Sequence, residues 1–308
     1  MTKEFIIGTR DSALALWQTN WVKEKLQSLW PDYKFTEKRI KTQGDFILDV
    51  GLAKIGDKGL FTKELEVAMM EYETDLAVHS MKDVPTKLPE GLTIGAICRR
   101  EEPFDVVLSP HGYKLSELPL GAKVGTSSLR RKAQLLHYRP DLAIHDLRGN
   151  LSTRLMKMER DDFDAIILAA AGVKRMGWED RITEYISPEI SLPAVGQGAI
   201  GIECRDDDTE LLKVLSSLED EDSRDAILAE RAFLGKLEGG CQIPIGALGR
   251  IEDETLYLDG LVASLDGKKV LRSSLSGSRE EAVDLGKKLA DALLQMGAGE
   301  ILEEVRGV

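Results

Sequence analysis

Across the first two-thirds of the chain, short apolar runs alternate with stretches of helical periodicity, the pattern of α/β units on a parallel core sheet. "FIIG" (5–8) predicts a buried strand. From Ser12 a helix is predicted with Leu14, Trp17, Trp21, Val22, Leu26 and Leu29 on one face, stopping before Pro31. Further strands are predicted at "DLAVHS" (75–80), "LTIGAIC" (92–98), "DVVLS" (105–109), "AKVG" (122–125), "AIHDL" (143–147) and "FDAIILAAAG" (163–172), with helices over 128–137 and 151–159. "REEPFD" (100–105) reads as a boundary and "PAVGQGAIGIE" (193–203) as a return crossing, so residues 1–99 with 194–217 form one lobe and 100–193 a second. Two α/β lobes joined by two crossings make a clamshell with a cleft.

From about residue 218 the pattern changes. A helix from Ser223 sets Ala226, Ala229, Phe233 and Leu237 on one face, and "QIPIGALGRI", "TLYLDGLVAS" and "KKVLRSSLS" predict a three-stranded antiparallel meander. A last helix from about Ser278 aligns Ala282, Leu285, Leu289, Leu293 and Met296. Residues 218–308 are therefore expected to form a small α+β third domain, with Cys241 on its edge.

Composition narrows the class. The chain has 308 residues, 43% hydrophobic and 31% charged, long enough for more than one core and ordinary for a folded protein. Its net charge of −12 disfavours nucleic-acid binding. The N-terminal apolar run is short and interrupted by charge, and no stretch nears the ~20 apolar residues of a membrane span, so a cytoplasmic location is expected. Cys98, Cys204 and Cys241 form no Cys-x-x-Cys, which fits a reducing compartment. His79, His111, His137 and His145 lack metal-ligand spacing, so no metal is expected.

Candidate chemistry gathers at strand ends. Cys98 and Cys204 sit in apolar runs as small core residues, whereas Cys241 follows the Gly239-Gly240 pair in a loop, open to modification. "GTRDSALA" (8–15) and "GTSSLRRKA" (125–133) both pass from a strand to a serine at a helix start. Ser12 and Ser128 thus read either as helix caps or as ligands of an anion held by a helix N-terminus. Arg10, Arg130, Arg131, Arg148, Arg154 and Arg175 fall at or beyond the carboxyl ends of strands, where α/β sheets bind ligands. Singly each fits a solvated surface; together, in an acidic chain, they predict a polyanionic ligand. In "HSMKDVP" (79–85), Asp83 is either a turn former or a carboxylate for proton transfer or cation stabilisation, beside Lys82. The glycine-punctuated segment 43–60, with Lys54 and Lys58, is either a lid or an ordinary loop.

"VHSMKDVPT", "GLAKIGDKGLFTKELE", "VGTSSLRRKAQL", "LRGNLSTRL", "AAAGVKRMG", "SLPAVGQGAIGIECR" and "LEGGCQIPIGA" together closely resemble the porphobilinogen deaminase (hydroxymethylbilane synthase) family of tetrapyrrole biosynthesis. The matched motifs run from Gly8 to Gly246; the last sixty or so residues carry little diagnostic sequence. The resemblance implies two lobes like those of periplasmic binding proteins plus the third domain. It implies a transferase that links four porphobilinogen units head to tail, losing ammonia each time, with hydrolytic release of hydroxymethylbilane. Cys241 takes the place of the cysteine holding a dipyrromethane cofactor by a thioether, and Asp83 that of the catalytic aspartate. Lys82, Ser128, Arg130, Arg131, Arg148 and Arg154 take cofactor-binding places; Arg10, Ser12, Lys54, Arg148, Arg154 and Arg175 those that hold substrate carboxylates. Phe104 departs from the pattern, since relatives often have arginine there. A monomer is expected.

The residues alone leave other readings open. A solute-binding protein would share the clamshell but release no ammonia from porphobilinogen. A thiol hydrolase would pair Cys241 with His79 or His145 as base. The Arg130, Arg131, Lys132 cluster would serve nucleic-acid binding only with salt-dependent retention.

Overall fold

The computed structural model describes residues 3–46, 61–238 and 243–307. It divides into two compact units, Met1–Glu101 with Ala199–Arg224, and Glu102–Gly198 with Asp225–Val308. The first holds strands β1 (Lys3–Thr9), β2 (Tyr33–Arg39), β3 (Leu76–Ser80), β4 (Leu92–Ile97) and β10 (Ile200–Arg205), in the order β2-β1-β3-β10-β4. β1 runs parallel to β2 and β3, but β10 is antiparallel to both β3 and β4, so the sheet is mixed rather than wholly parallel. Period-two burial shows that a run is a strand; it carries no sign of direction. The helices are α1 (Ala13–Leu29), a short α2 (Gln43–Phe46), α3 (Lys63–Met70) and α7 (Thr209–Leu215).

α1 corrects the expected face. Its buried residues are Ala15, Gln18, Thr19, Val22 and Leu26, while Trp17 and Leu29 are exposed. Apolar residues lie nearly all round this helix, so periodicity alone did not choose the face. Hydrogen bonds settle the polar pair: Gln18 Nε2 donates to Ser80 Oγ (2.9 Å) and Thr19 Oγ1 to Thr9 Oγ1 (2.8 Å). Val22 and Leu26 then close on Phe5, Ile7, Leu76 and Val78 in the core.

The second unit contains β5 (Asp105–Leu108), β6 (Lys123–Gly125), β7 (Ala143–His145), β8 (Ala165–Ala169) and β9 (Glu184–Tyr185), in the order β7-β6-β8-β5-β9. β6 is parallel to β7 and β8; β5 is antiparallel to β8 and β9. α4 (Leu129–Tyr138), α5 (Leu151–Arg160) and α6 (Ala170–Arg175) follow β6, β7 and β8. The run expected as one strand over 163–172 therefore turns helical at Ala170.

The same unit includes the expected meander, β11 (Ile245–Glu252), β12 (Thr255–Ala263) and β13 (Val270–Ser278), antiparallel in that order. α8 (Glu221–Lys236), α9 (Ala282–Gln295) and α10 (Ala298–Arg306) bury its core, in which Ala226, Ala229, Phe233 and Leu237 meet Leu285, Leu289 and Leu293. Met296 is exposed, because Gly297 in the left-handed region (φ 99°) separates α9 from α10. This region shares a unit with residues 102–198: Leu248, Leu261 and Ala263 pack with Ala133 and Leu192, and Phe104 packs against them as an apolar residue. Residues 194–198 belong here too. Gly196 N donates to the buried Glu230 (2.7 Å), Gln197 Nε2 to Pro103 O (2.7 Å), and Arg175 Nη2 to Gly198 O (2.6 Å).

Candidate active site

β1 and β3 are parallel neighbours, so both release the chain at the same edge of their sheet. After β1 come Arg10 and Ser12; Ser12 is extended, and its Oγ accepts from Ala15 N (3.3 Å) to cap α1. After β3 a single 3-10 turn, Met81–Asp83, is stopped by Val84, which is extended as the residue before Pro85 must be (φ −84°, ψ 123°). The turn is pinned from below. Met81 N donates to Ala199 O (3.0 Å), and its side chain fits only because residue 201 is glycine, where a Cβ would stand 2.1 Å from Met81 Sδ.

Asp83 thereby lines a pocket of about 60 Å³ together with Arg10, Ser12, Gln18, Phe61 and His79. The Arg10 guanidinium lies over the Phe61 ring, 4.4 Å from its centroid. A carboxylate and a guanidinium in one small pocket can receive a ligand bearing both signs of charge. Lys82 sits half-buried in the same turn.

In the second unit, β6 and β7 are likewise parallel neighbours with a shared carboxyl edge. Ser128 caps α4, accepting from Arg131 N (3.4 Å), and Asn150 caps α5, accepting from Thr153 N (2.8 Å). Two helix N-termini with their uncompensated N–H groups thus open at one edge. Ser127 Oγ, beside the first cap, is buried with no hydrogen-bond partner among the described residues. The β7–α5 connection is held in shape. Arg154 Nε donates to Gly149 O (2.8 Å) and Lys157 Nζ to Arg148 O (3.2 Å), while Gly149 sits at φ 112° with Thr153 against its Cα. Arg148 and Arg154 are half-buried at this edge; Arg175 closes α6.

Arg130 and Arg131 are placed differently from the expectation of ligand-facing cations, being only 4% and 5% exposed. Both converge on the fully buried Asp105, at 2.7 Å from Arg130 Nη1 and 2.8 Å from Arg131 Nη2. Arg130 also donates to Leu192 O (2.5 Å), Arg131 to Ile167 O (3.0 Å), and Ser191 Oγ and Gln197 Nε2 donate to the carboxylate as well. Burial alone would push the Asp105 carboxyl up; the pull of the two guanidinium groups and their hydrogen bonds outweighs it and holds the carboxyl well below the usual range. A depressed folded value means stability that is present above about pH 4 and lost as pH falls through the folded value. Asp105→Asn should leave two buried guanidinium groups with one charge partner fewer and destabilise the unit by about 3–5 kcal/mol. A shift of the urea midpoint equivalent to less than about 1 kcal/mol contradicts that role.

Lys54 and Cys241 lie outside the described residues. Among the described ones, Arg10, Ser12 and Asp83 meet in the first unit, with Lys82 in the same turn as Asp83, and Ser128, Arg148 and Arg154 lie at one edge in the second. Sequence reasoning missed Phe61, Asp105 and Ser127. Only Asp105 left a trace, a charge heading the apolar run "DVVL".

A family profile described as "Porphobilinogen deaminase, dipyromethane cofactor binding domain" matches residues 5–213, and "Porphobilinogen deaminase, C-terminal domain" matches 225–295. Porphobilinogen deaminase of Carboxydothermus hydrogenoformans is 60% identical over 306 residues, covering 99% of this chain and 98% of that one. That of Desulforamulus reducens is 56% identical over 306 residues, covering 99% of each. Among solved structures, the periplasmic aliphatic sulphonate binding protein SsuA from Escherichia coli is 10% identical with a TM-score of 0.44, covering 99% of this chain and 92% of that one. The chain belongs to the porphobilinogen deaminase family, transferases that condense porphobilinogen into hydroxymethylbilane with loss of ammonia.

Proposed function

We propose that this chain condenses four porphobilinogen molecules head to tail at the Asp83 pocket, on a dipyrromethane primer attached through Cys241, and frees the product by hydrolysis. The observation that carries this reading is the meeting of Asp83, Arg10 and the α1 cap in one small pocket. Porphobilinogen has the matching parts: an aminomethyl group that leaves a cation behind, and two carboxylates. Asp83 would accept the pyrrole N–H and stabilise the cation left when ammonia departs. Arg10 and Ser12, with Lys54 and Arg175, would hold the carboxylates.

The residues of the second unit fit the cofactor's chemistry. Dipyrromethane carries several carboxylates, and two helix N-termini, half-buried Arg148 and Arg154, and the orphaned Ser127 hydroxyl are donors for such groups. When bound, it supplies the free α-carbon to which the first substrate is joined. Ser128, Lys82, Arg148 and Arg154 would hold its carboxylates. Arg130 and Arg131 would stand behind them: two cations on one Asp105 leave a net positive charge at the start of α4. No helix among the described residues is long and apolar enough to cross a membrane, and we read the protein as a cytoplasmic monomer. The test is stoichiometry: one ammonia released per porphobilinogen consumed, with hydroxymethylbilane accumulating. Substrate binding without ammonia release contradicts the reading and favours a solute-binding protein.

A further inference from the structure

Behind the pocket lies a group of buried ionisable residues to which the reading above gives no part. His79 on β3 and Glu203 on β10 share the sheet face covered by α3, since Ala77 pairs with Glu203 and Gly201 with His79. Glu203 is fully buried and His79 only 5% exposed, with Nε2 2.9 Å from Glu203 Oε2. Among the described residues, Nε2 and both Glu203 oxygens have no hydrogen-bond partner. Glu66, from α3, is also buried, its Oε1 equally without a partner, and burial pushes its carboxyl up. A histidine placed only to fill a core would be tied down by hydrogen bonds, because a buried polar group left without a partner is costly. Here a carboxylate stands 2.9 Å from the ring nitrogen Nε2 and the residue lines the Asp83 pocket, the placement of a general base with a carboxylate at its back.

The reaction requires such a base. In each condensation the donor's methylene–nitrogen bond breaks and ammonia leaves with the electron pair. The acceptor pyrrole's α-carbon then bonds to that methylene. The acceptor's α C–H bond must break next, its electrons restoring the aromatic ring. We propose that His79 takes this proton on Nδ1, with the Glu203 carboxylate facing Nε2 as countercharge. The proton then passes to the departing ammonia, giving ammonium and restoring the pair. Asp83 and Arg10 face the same pocket, and Glu66 and Glu203 are the charged groups on α3 and β10 behind the ring.

This rests on the Asp83 pocket being the reaction site, so the experiment runs His79→Gln beside Asp83→Asn. The substrate is porphobilinogen carrying deuterium at its free α-carbon. His79→Gln is expected to lower kcat by about 10²-fold with KM little changed, and to raise a deuterium isotope effect above the parent's. Added imidazole should partly restore turnover in His79→Ala. A kcat within about threefold of the parent, or a fall with no rise in the isotope effect, overturns the proposal. If His79→Gln does not fold, Glu203→Gln carries the test, with the same rise in isotope effect expected and its absence overturning. Asp83→Asn keeping full turnover would instead overturn the pocket assignment itself.

Discussion

Asp83→Asn should still bind porphobilinogen and lose most of its turnover, by about three decades. The amide keeps the shape of the side chain in the pinned turn after β3, where Met81 and Gly201 fix its position independently of charge. What it loses is the ion pair with the cation formed as ammonia departs. A pair at 4 Å is worth ~4 kcal/mol at an effective dielectric of ~20, and if that is realised only in the transition state it corresponds to ~10³ in rate. Steady-state ammonia release resolves kcat from KM. A variant within tenfold of the parent kcat would remove Asp83 from the chemistry.

Cys241→Ser is expected to be as inactive, for a different reason. A hydroxyl is a far poorer nucleophile than a thiolate, so the variant should carry no pyrrole adduct and offer no primer for elongation. Neither remaining cysteine can replace it. Cys98 and Cys204 are buried in the first unit's sheet region, and burial pushes the Cys204 thiol up to about 12, so thiolate is scarce there near neutral pH. The variant should nevertheless keep the parent's circular dichroism, with a melting temperature lowered by loss of the primer's contacts. A folded Cys241→Ser protein that turns over porphobilinogen at the parent rate contradicts the attachment.

How much of this was legible in the sequence depended on how strongly each segment is patterned. α8 was readable because Ala226, Ala229, Phe233 and Leu237 form one clean apolar stripe, and all four are buried. α1 was readable as a helix but not as to its face, since its buried polar residues are chosen by Ser80 and Thr9 from other strands. β2, "YKFTEKR", went unpredicted: it is an edge strand with little apolar content. Helix caps were visible where a strand end meets a helix start, as at Ser12 and Ser128, because capping is local chemistry. The fate of Arg130 and Arg131 was not, because their partner Asp105 is distant in sequence and a cation looks the same whether solvated or buried. His79 and Glu203 were hidden likewise; only the antiparallel pairing of β3 with β10 brings them together.

The most direct test of the account is the intact mass of the purified protein before and after brief exposure to porphobilinogen, beside Cys241→Ser. The unreacted parent is expected to be heavier than its sequence by two linked pyrroles and to show a ladder of further pyrrole units after exposure, with neither in the variant. A parent at the bare mass that does not rise with porphobilinogen, or the same adducts on Cys241→Ser, would contradict it.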